Sequence, residues 1–254
     1  MPMWNPWHGC TKISPGCYHC YMYRRDAEFG KNSSVVTKTA SFDLPLKKNR
    51  QKQYRLQPED GVVFTCFTSD FFHPDADEWR PEAWRMMKER QDLEFYFITK
   101  RPHRFYNGLP SDWGEGYDNV TVCCTCENQN TADKRLPVFL ELPIRHREII
   151  HEPMLERIDI RRWLEKYHDR IECVCVGGES GDDAREMDYA WALETHLQCV
   201  EYDVPFSFHQ TGYRFRKGGR LYRIPRKDQH IQAKKANLDY VPGLLRNRDL
   251  PGEV

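Results

Sequence analysis

The chain has 254 residues, 39% of them hydrophobic and 13% aromatic, so it is long enough to bury a full core as one large domain or two small ones. Its 38 basic residues balance its 38 acidic residues. No stretch approaches the roughly 20 apolar residues that span a bilayer, and the amino terminus lacks the basic-then-apolar pattern of a secretion signal. We therefore expect a cytoplasmic protein with no membrane association.

Three of the ten cysteines stand close together near the amino terminus, at Cys10, Cys17 and Cys20. In a chain without a secretion signal, metal ligation by reduced thiols is a better expectation than a disulfide framework. Pro15-Gly16 favours a turn before Cys17, and two residues separate Cys17 from Cys20, so two thiolates can reach one metal centre from a tight loop. We predict that these three cysteines are metal ligands.

The spacing of the cysteines leaves the identity of the metal open. Three thiolates can hold three irons of a [4Fe-4S] cluster and leave the fourth iron free for an exogenous ligand. The alternative is a structural zinc ion with His8 or His19 as the fourth ligand, and a third possibility is that the cysteines bind no metal.

Beyond the cysteines, short apolar runs rich in Val, Ile, Phe and Cys alternate with amphipathic segments, which predicts strand-helix units around a parallel sheet. A short leading strand is expected before Cys10, and residues 31–58 are expected to form an insertion or extended loop. The predicted strands cover 61–67, 94–99, 119–125, 147–151, 171–177 and 205–209. The predicted helices cover 80–91, 129–141, 158–169 and 187–200. The fold class is therefore α/β, a partial or closed β/α barrel of six to seven parallel strands.

Polar residues follow each predicted strand at the point where it ends. In β/α barrels the active site lies at the carboxyl ends of the strands, so these positions are candidates for binding and catalysis. They are Ser69 and Asp70, Lys100 and Arg101, Glu127 and Asn128, His151 and Glu152, Gly178 and Glu179, and His209 and Gln210.

Two further pairs of cysteines lie in or directly after predicted strands. Cys124 and Cys126 share one face of their strand, as do Cys173 and Cys175. In a buried strand cysteine serves as a small apolar residue, so we expect all four in the core.

Basic residues are concentrated near the carboxyl terminus, where residues 210–254 hold eleven Lys or Arg against four Asp or Glu. We divide the chain into residues 1–212, the barrel with its cysteine loop, and a basic extension at 213–254. Interleaved aromatic residues make the extension compatible with a nucleic-acid backbone, and a solvated hairpin or tail is the alternative. Lys100 and Arg101 likewise suit a phosphate-bearing substrate, unless they pair with carboxylates at the strand ends.

The chain resembles an uncharacterised family of radical S-adenosylmethionine-like proteins encoded by phages and bacteria. The resemblance is carried by collinear motifs across residues 4–212, which read WNPWHGCTKISPGCYHCY, FTSDFFHPD, FYFITKRPHRF, CENQNTADKR, VGGESGDDAR and VPFSFHQTG. The commonest spacing in the wider superfamily is C-x3-C-x2-C, whereas six residues separate Cys10 from Cys17 here.

The resemblance implies a β/α barrel with a three-cysteine [4Fe-4S] cluster and S-adenosylmethionine at the open iron. An external electron donor would reduce the cluster, and reductive cleavage of S-adenosylmethionine would give a 5′-deoxyadenosyl radical that abstracts hydrogen from a nucleotide or nucleic-acid substrate. Tyr18 or His19 would stack on adenine, Asp70 would hold the cofactor amino group, and Glu127 or Asn128 the ribose. The full set of expected cofactor residues is Tyr18, His19, Ser69, Asp70, Lys100, Glu127, Asn128, Glu152, Gly177, Gly178 and Glu179.

Two other functions fit the same residues. One is a zinc-dependent nucleic-acid-binding module, and the other is an iron-sulfur protein that senses redox state or nucleic acid without turnover.

Overall fold

The computed structural model describes residues 2–243 and contains twelve strands and six α-helices in that range. The strands are β1 (Met3–Trp4), β2 (Trp7–His8), β3 (Thr37–Lys38), β4 (Val63–Thr65), β5 (Phe95–Thr99), β6 (Val120–Thr125), β7 (His146–His151), β8 (Cys173–Gly177), β9 (Glu186–Asp188), β10 (Phe206–Gln210), β11 (Arg214–Lys217) and β12 (Arg220–Arg223). The helices are α1 (Tyr21–Glu28), α2 (Arg80–Glu89), α3 (Gln129–Phe139), α4 (Arg161–Tyr167), α5 (Tyr189–Glu201) and α6 (Arg226–Lys235).

The main sheet has seven strands in the order β1-β4-β5-β6-β7-β8-β10. The strands are parallel, and helices follow them along the chain, so the predicted α/β class with a partial β/α barrel is confirmed. Six of these strands overlap the predicted ones, and β1 supplies the leading strand expected before Cys10. The four predicted helices correspond to α2, α3, α4 and α5.

The chain divides into two compact units, and the first runs through Cys126 and includes Asp133–Ile150. Its core is aromatic: the Phe71 ring stacks on Phe97 of β5 at 4.4 Å between centroids and meets Trp84 of α2 edge-on at 4.7 Å. Trp7 of β2 packs on Phe71 at 5.2 Å. Since Trp7, Phe71, Trp84 and Phe97 are all fully buried, this cluster fixes the segment that leads into Cys10.

The second unit comprises Glu127–Ala132 and the chain from His151 onward. In it β8 pairs in parallel with β10, and a small sheet has the order β12-β11-β9. The register between β8 and β10 shifts after Phe208, because Phe208 pairs with Val176 while Gln210 pairs with Gly177. His209 is therefore the extra residue of a β-bulge.

Several features differ from the sequence prediction. The segment 31–58 is not only a loop, since β3 within it pairs with β2. The basic extension contains the β11–β12 hairpin, in agreement with the hairpin alternative, and also the helix α6, which was not predicted. Residues 244–254 lie outside the described residues. The boundary after residue 212 stays a prediction. None of the helices within residues 2–243 is long and apolar enough to cross a membrane.

The strand cysteines divide into two groups by burial. Cys124 and Cys126 are fully buried, as predicted, whereas Cys173 and Cys175 are only half-buried. The expectation that all four belong to the core is wrong for Cys173 and Cys175, because their face of β8 is incompletely covered.

Candidate functional site

Close backbone packing fixes the position of Cys10. The Cys10 amide donates to the Ser33 carbonyl at 2.8 Å, and the Gly9 amide donates to the Thr68 carbonyl at 3.0 Å. Gly9 has φ of +98°, and a Cβ at this position would lie 2.3 Å from the Val35 carbonyl oxygen. Only glycine fits this conformation and this contact, so the chain is held against its neighbours immediately before the first cysteine.

A turn and a helix start position the other two cysteines. Cys17 ends the 3-10 turn Pro15–Cys17, and Cys20 is the residue that precedes α1. The Cys17 sulfur lies 3.8 Å from the Ser14 hydroxyl. The predicted turn at Pro15-Gly16 is thus present, and the two cysteines flank it and the helix start.

Tyr23 of α1 is hydrogen-bonded to the cysteine loop. Its hydroxyl donates to the Cys10 carbonyl oxygen. Burial, followed by the neighbouring thiols of Cys10, Cys17 and Cys20, raises the pKa of Tyr23 to about 12. All three cysteines are half-buried.

The histidines considered as zinc ligands are placed differently from each other. His8 is bonded through its Nε2 atom to Asp26 of α1 at 2.8 Å, and Ser33 donates to the same carboxylate oxygen at 2.8 Å. This contact joins β2 to α1 and leaves the His8 Nε2 atom occupied. His19 is half-buried between Cys17 and Cys20 in the sequence.

Arg101 brings a positive charge to Cys10. Its guanidinium lies 3.7 Å from the Cys10 sulfur and 3.0 Å from the Asp70 carboxylate, and it donates to the Thr11 carbonyl at 2.8 Å. Burial and the Asp70 charge raise the pKa of the Cys10 thiol to about 11, against the opposing effect of Arg101. The predicted pairing of Arg101 with a strand-end carboxylate is confirmed.

Asp70 is almost fully engaged within the protein. Besides Arg101, its carboxylate accepts hydrogen bonds from the Thr99 hydroxyl at 2.7 Å, the Lys100 amide at 2.9 Å and the Phe72 amide at 3.0 Å. A carboxylate offers about four acceptor positions, so these donors use its capacity. The predicted contact to a cofactor amino group stays a prediction, and the observed action of Asp70 is to position Arg101.

His73 completes the buried network, and sequence reasoning did not select it. Its Nδ1 atom accepts from the Asp75 amide at 3.2 Å, so Nε2 carries the proton and donates to the Thr11 hydroxyl at 3.0 Å. Burial, aided by Arg101, lowers the pKa of His73, which keeps the ring neutral. Its only sequence signal is its place in the FTSDFFHPD motif, and Tyr23 has no comparable signal.

The other predicted cofactor residues of the first unit differ in exposure. Tyr18 is 60% exposed, and Lys100 is half-buried beside the Asp70 network. Ser69 donates through its hydroxyl to the Gly9 carbonyl, so it helps to hold the cysteine loop.

In the second unit, several predicted residues have structural contacts. Asn128 accepts from the Thr131 amide at 2.9 Å through its side chain at the start of α3, and Glu179 forms a buried ion pair with Arg185. Gly178 lies against backbone, since a Cβ there would be 2.4 Å from the Thr211 carbonyl oxygen. Glu127 is fully buried.

Glu152 belongs to a separate polar cluster of the second unit. Its carboxylate lies 2.7 Å from His209 Nδ1 and accepts from the Gln210 side-chain amide. Gly177 lies directly beneath this carboxylate. The cofactor contacts predicted for Glu152 and Gly177 stay predictions.

The basic hairpin is partly neutralised by its own unit. Arg214 and Arg216 of β11 both bind the Glu186 carboxylate, at 2.7 and 2.6 Å. Further basic side chains of the hairpin and of the first turn of α6 are exposed, and they are Lys217, Arg220, Arg223, Arg226 and Lys227.

Comparison with known proteins gives one match. A family model described as a protein of unknown function, DUF5131, matches residues 2–241. No curated protein and no solved structure matches the chain.

Replacing Asp70 by asparagine should lower the free energy of unfolding by about 3 kcal/mol, because it leaves the buried Arg101 guanidinium without its counter-charge. The control is Asp118→Asn, whose partner is Arg145 and whose side chain is 80% exposed. That pair should contribute less than about 1 kcal/mol. Urea denaturation of both variants measures the difference, and equal losses would contradict the importance of the Asp70–Arg101 pair.

The contribution of Asp70 should also depend on pH. Burial raises the pKa of Asp70, but Arg101 and the hydrogen-bond donors outweigh burial and hold the pKa below its usual value. The stabilisation is therefore fully present above the pKa of the unfolded chain, about 3.9, and is lost as pH falls through the lowered pKa. The difference in unfolding free energy between the natural chain and Asp70→Asn should shrink below about pH 4. A difference that stays constant under acid would refute this.

Proposed function

The chain belongs to the DUF5131 family, and we propose that it is a radical S-adenosylmethionine enzyme whose [4Fe-4S] cluster is held by Cys10, Cys17 and Cys20. The observation that carries the proposal is that a 3-10 turn and a helix start hold three half-buried cysteines in one loop, with the Arg101 guanidinium 3.7 Å from the Cys10 sulfur. Three thiolates leave one iron of such a cluster open, which suits a bound cofactor.

A zinc ion and a [4Fe-4S] cluster require different spacings of their sulfur ligands. Zinc–sulfur bonds of about 2.3 Å in tetrahedral geometry place ligand sulfurs about 3.8 Å apart. In a cubic cluster each cysteine binds a different iron, so wider spacing is compatible with the group.

When bound, the reduced cluster and S-adenosylmethionine supply reductive cleavage of a carbon–sulfur bond and hydrogen abstraction from a substrate. The protein contributes position and charge. Arg101 places a guanidinium beside the Cys10 sulfur, which stabilises the thiolate form that a metal ligand requires. Asp70 and Thr11 fix that guanidinium, so they act through Arg101.

For the cofactor itself, the exposed ring of Tyr18 is the best contact for adenine in the first unit. It lies between Cys17 and Cys20 in the sequence and is not packed into the core. An exposed aromatic ring offers a face for stacking on a base. Lys100, beside the Asp70 network, is available for the cofactor carboxylate.

A nucleotide or nucleic acid is the proposed substrate class. The support is the exposed basic set Lys217, Arg220, Arg223, Arg226 and Lys227, since Arg214 and Arg216 already bind Glu186. Clustered exposed basic residues attract phosphates. An external electron donor would be the other partner.

Anaerobically prepared protein should contain about four irons and four sulfides per chain. Reduction in the presence of S-adenosylmethionine should then yield 5′-deoxyadenosine. Cys17→Ser should abolish both iron content and product, because it removes one of the three ligands. Cys173→Ser, which changes a half-buried cysteine outside the cluster site, should leave both unchanged.

Three results would contradict the proposal. Stoichiometric zinc without iron would favour the zinc module, and an intact cluster without 5′-deoxyadenosine would favour a sensor. Full iron content in Cys17→Ser would refute the ligand assignment.

Binding of a single-stranded oligonucleotide should weaken steeply with rising salt if the exposed basic residues contact phosphates. The double variant Arg220→Glu and Arg223→Glu should weaken binding and reduce the slope of log affinity against log salt by about 0.7 for each phosphate that is no longer neutralised. Arg145→Glu, also an exposed arginine, is the control. A salt response that stays flat, or equal effects of both variants on affinity, would refute the proposed phosphate contacts of the hairpin.

A further inference from the structure

Glu152, Cys175 and His209 all belong to the second unit and lie close together there. Glu152 directly follows β7, Cys175 lies within β8, and His209 lies within β10. Cys175 pairs with Ser207, two residues before His209, so regular alternation points both side chains to the same face. His209 is also the extra residue of the bulge in β10, and bulges are common next to functional sites.

The ligand atoms of these three residues form a compact set. A carboxylate oxygen of Glu152, the Cys175 sulfur and a ring nitrogen of His209 all lie within 4.8 Å of one another. The closest approach is 2.7 Å, between Glu152 Oε2 and His209 Nδ1. Glu152 and Cys175 are half-buried while His209 is exposed, so an ion from solvent can reach the set.

Gly177 makes the space for the Glu152 carboxylate. A Cβ on Gly177 would lie 2.6 Å from Glu152 Oε2 and 2.7 Å from the carboxyl carbon. Any side chain at this position would move the carboxylate away from His209. The glycine at the end of β8 is therefore required for this arrangement of donors.

Gln210 holds the carboxylate from the other side. Its side-chain amide nitrogen donates to Glu152 Oε1, while its own amide oxygen is buried and has no hydrogen-bond partner among the described residues. Gln210 is 4% exposed. A buried acceptor without a donor is costly, and a water molecule bound to a nearby ion would satisfy it.

We propose that Glu152, Cys175 and His209 bind a divalent transition-metal ion of the zinc type. Carboxylate, thiolate and imidazole are all zinc ligands, and three protein ligands leave a fourth tetrahedral position for water or for an oxygen of a ligand. Gln210 fixes the Glu152 ligand and offers its amide oxygen to a metal-bound water, as residues behind metal ligands do. The assignment is independent of the cluster proposed at Cys10, Cys17 and Cys20.

Cobalt(II) is the probe, because its bond to a thiolate gives an absorption band that identifies the cysteine ligand. The full chain carrying Cys10→Ser, Cys17→Ser and Cys20→Ser removes the other thiolate site and serves as the parent. This parent should bind one equivalent of cobalt with the thiolate band. Adding Cys175→Ser to this parent should abolish the band. Adding Glu152→Gln or His209→Gln should weaken the affinity for cobalt at least about tenfold.

Cys173→Ser is the matched control, since Cys173 lies on the same strand and face as Cys175 and outside the set. It should keep both band and affinity. Gln210→Leu should keep the thiolate band and weaken affinity roughly 10- to 100-fold. Circular dichroism verifies folding, and Gln210→Leu decides the question if Cys175→Ser fails to fold.

Absence of a thiolate band in the folded parent would overturn the proposal. So would a band that survives in folded Cys175→Ser, or one lost equally in Cys173→Ser. Unchanged affinity in Gln210→Leu together with unchanged affinity in Glu152→Gln would also overturn it. Zinc competition in the parent should displace cobalt, and failure to do so would refute the zinc-type assignment.

Discussion

The buried ion pair between Arg101 and Asp70 is the interaction on which the cysteine site depends. Both side chains are almost completely removed from water, so each needs the other and a full set of hydrogen bonds. Asp70 obtains these from Thr99, Lys100 and Phe72, which ties it to the carboxyl end of β5. Arg101 extends the pair to Thr11 and to the Cys10 sulfur. The end of one core strand thereby determines where the first cysteine stands.

Much of the fold could be predicted because burial of one face of a strand or helix produces a periodic pattern of apolar residues in the sequence. In β5 the buried positions alternate with half-buried ones, and parallel strands between helices are rich in apolar residues. The strand ends followed from the same periodicity, and Lys100 and Glu152 directly follow β5 and β7 in the structure. The short strands β9, β11 and β12 were not among the predicted strands, because three or four residues rich in charge show no such periodicity.

The side-chain partners were less predictable, since they depend on contacts between distant segments. Tyr23 meets Cys10 only because α1 folds back beside the loop, and nothing in its local sequence marks it. Cys175 shared a predicted face with Cys173, but its exposure depends on what covers β8. The bulge at His209 adds one residue to the register of β10, and the flanking residues Phe208 and Gln210 give no sign of it.

The two proposed metal sites differ in their donor atoms, and each set of donors favours a different metal. Three thiolates form a soft set, which suits iron-sulfur chemistry, and the Arg101 charge offsets part of their negative charge. Glu152, Cys175 and His209 combine oxygen, sulfur and nitrogen donors, which suits a borderline ion such as zinc. Sulfur is common to both, so cysteine count alone could not distinguish them. The distinction comes from the neighbours that the fold supplies, a guanidinium in one unit and a carboxylate with an imidazole in the other.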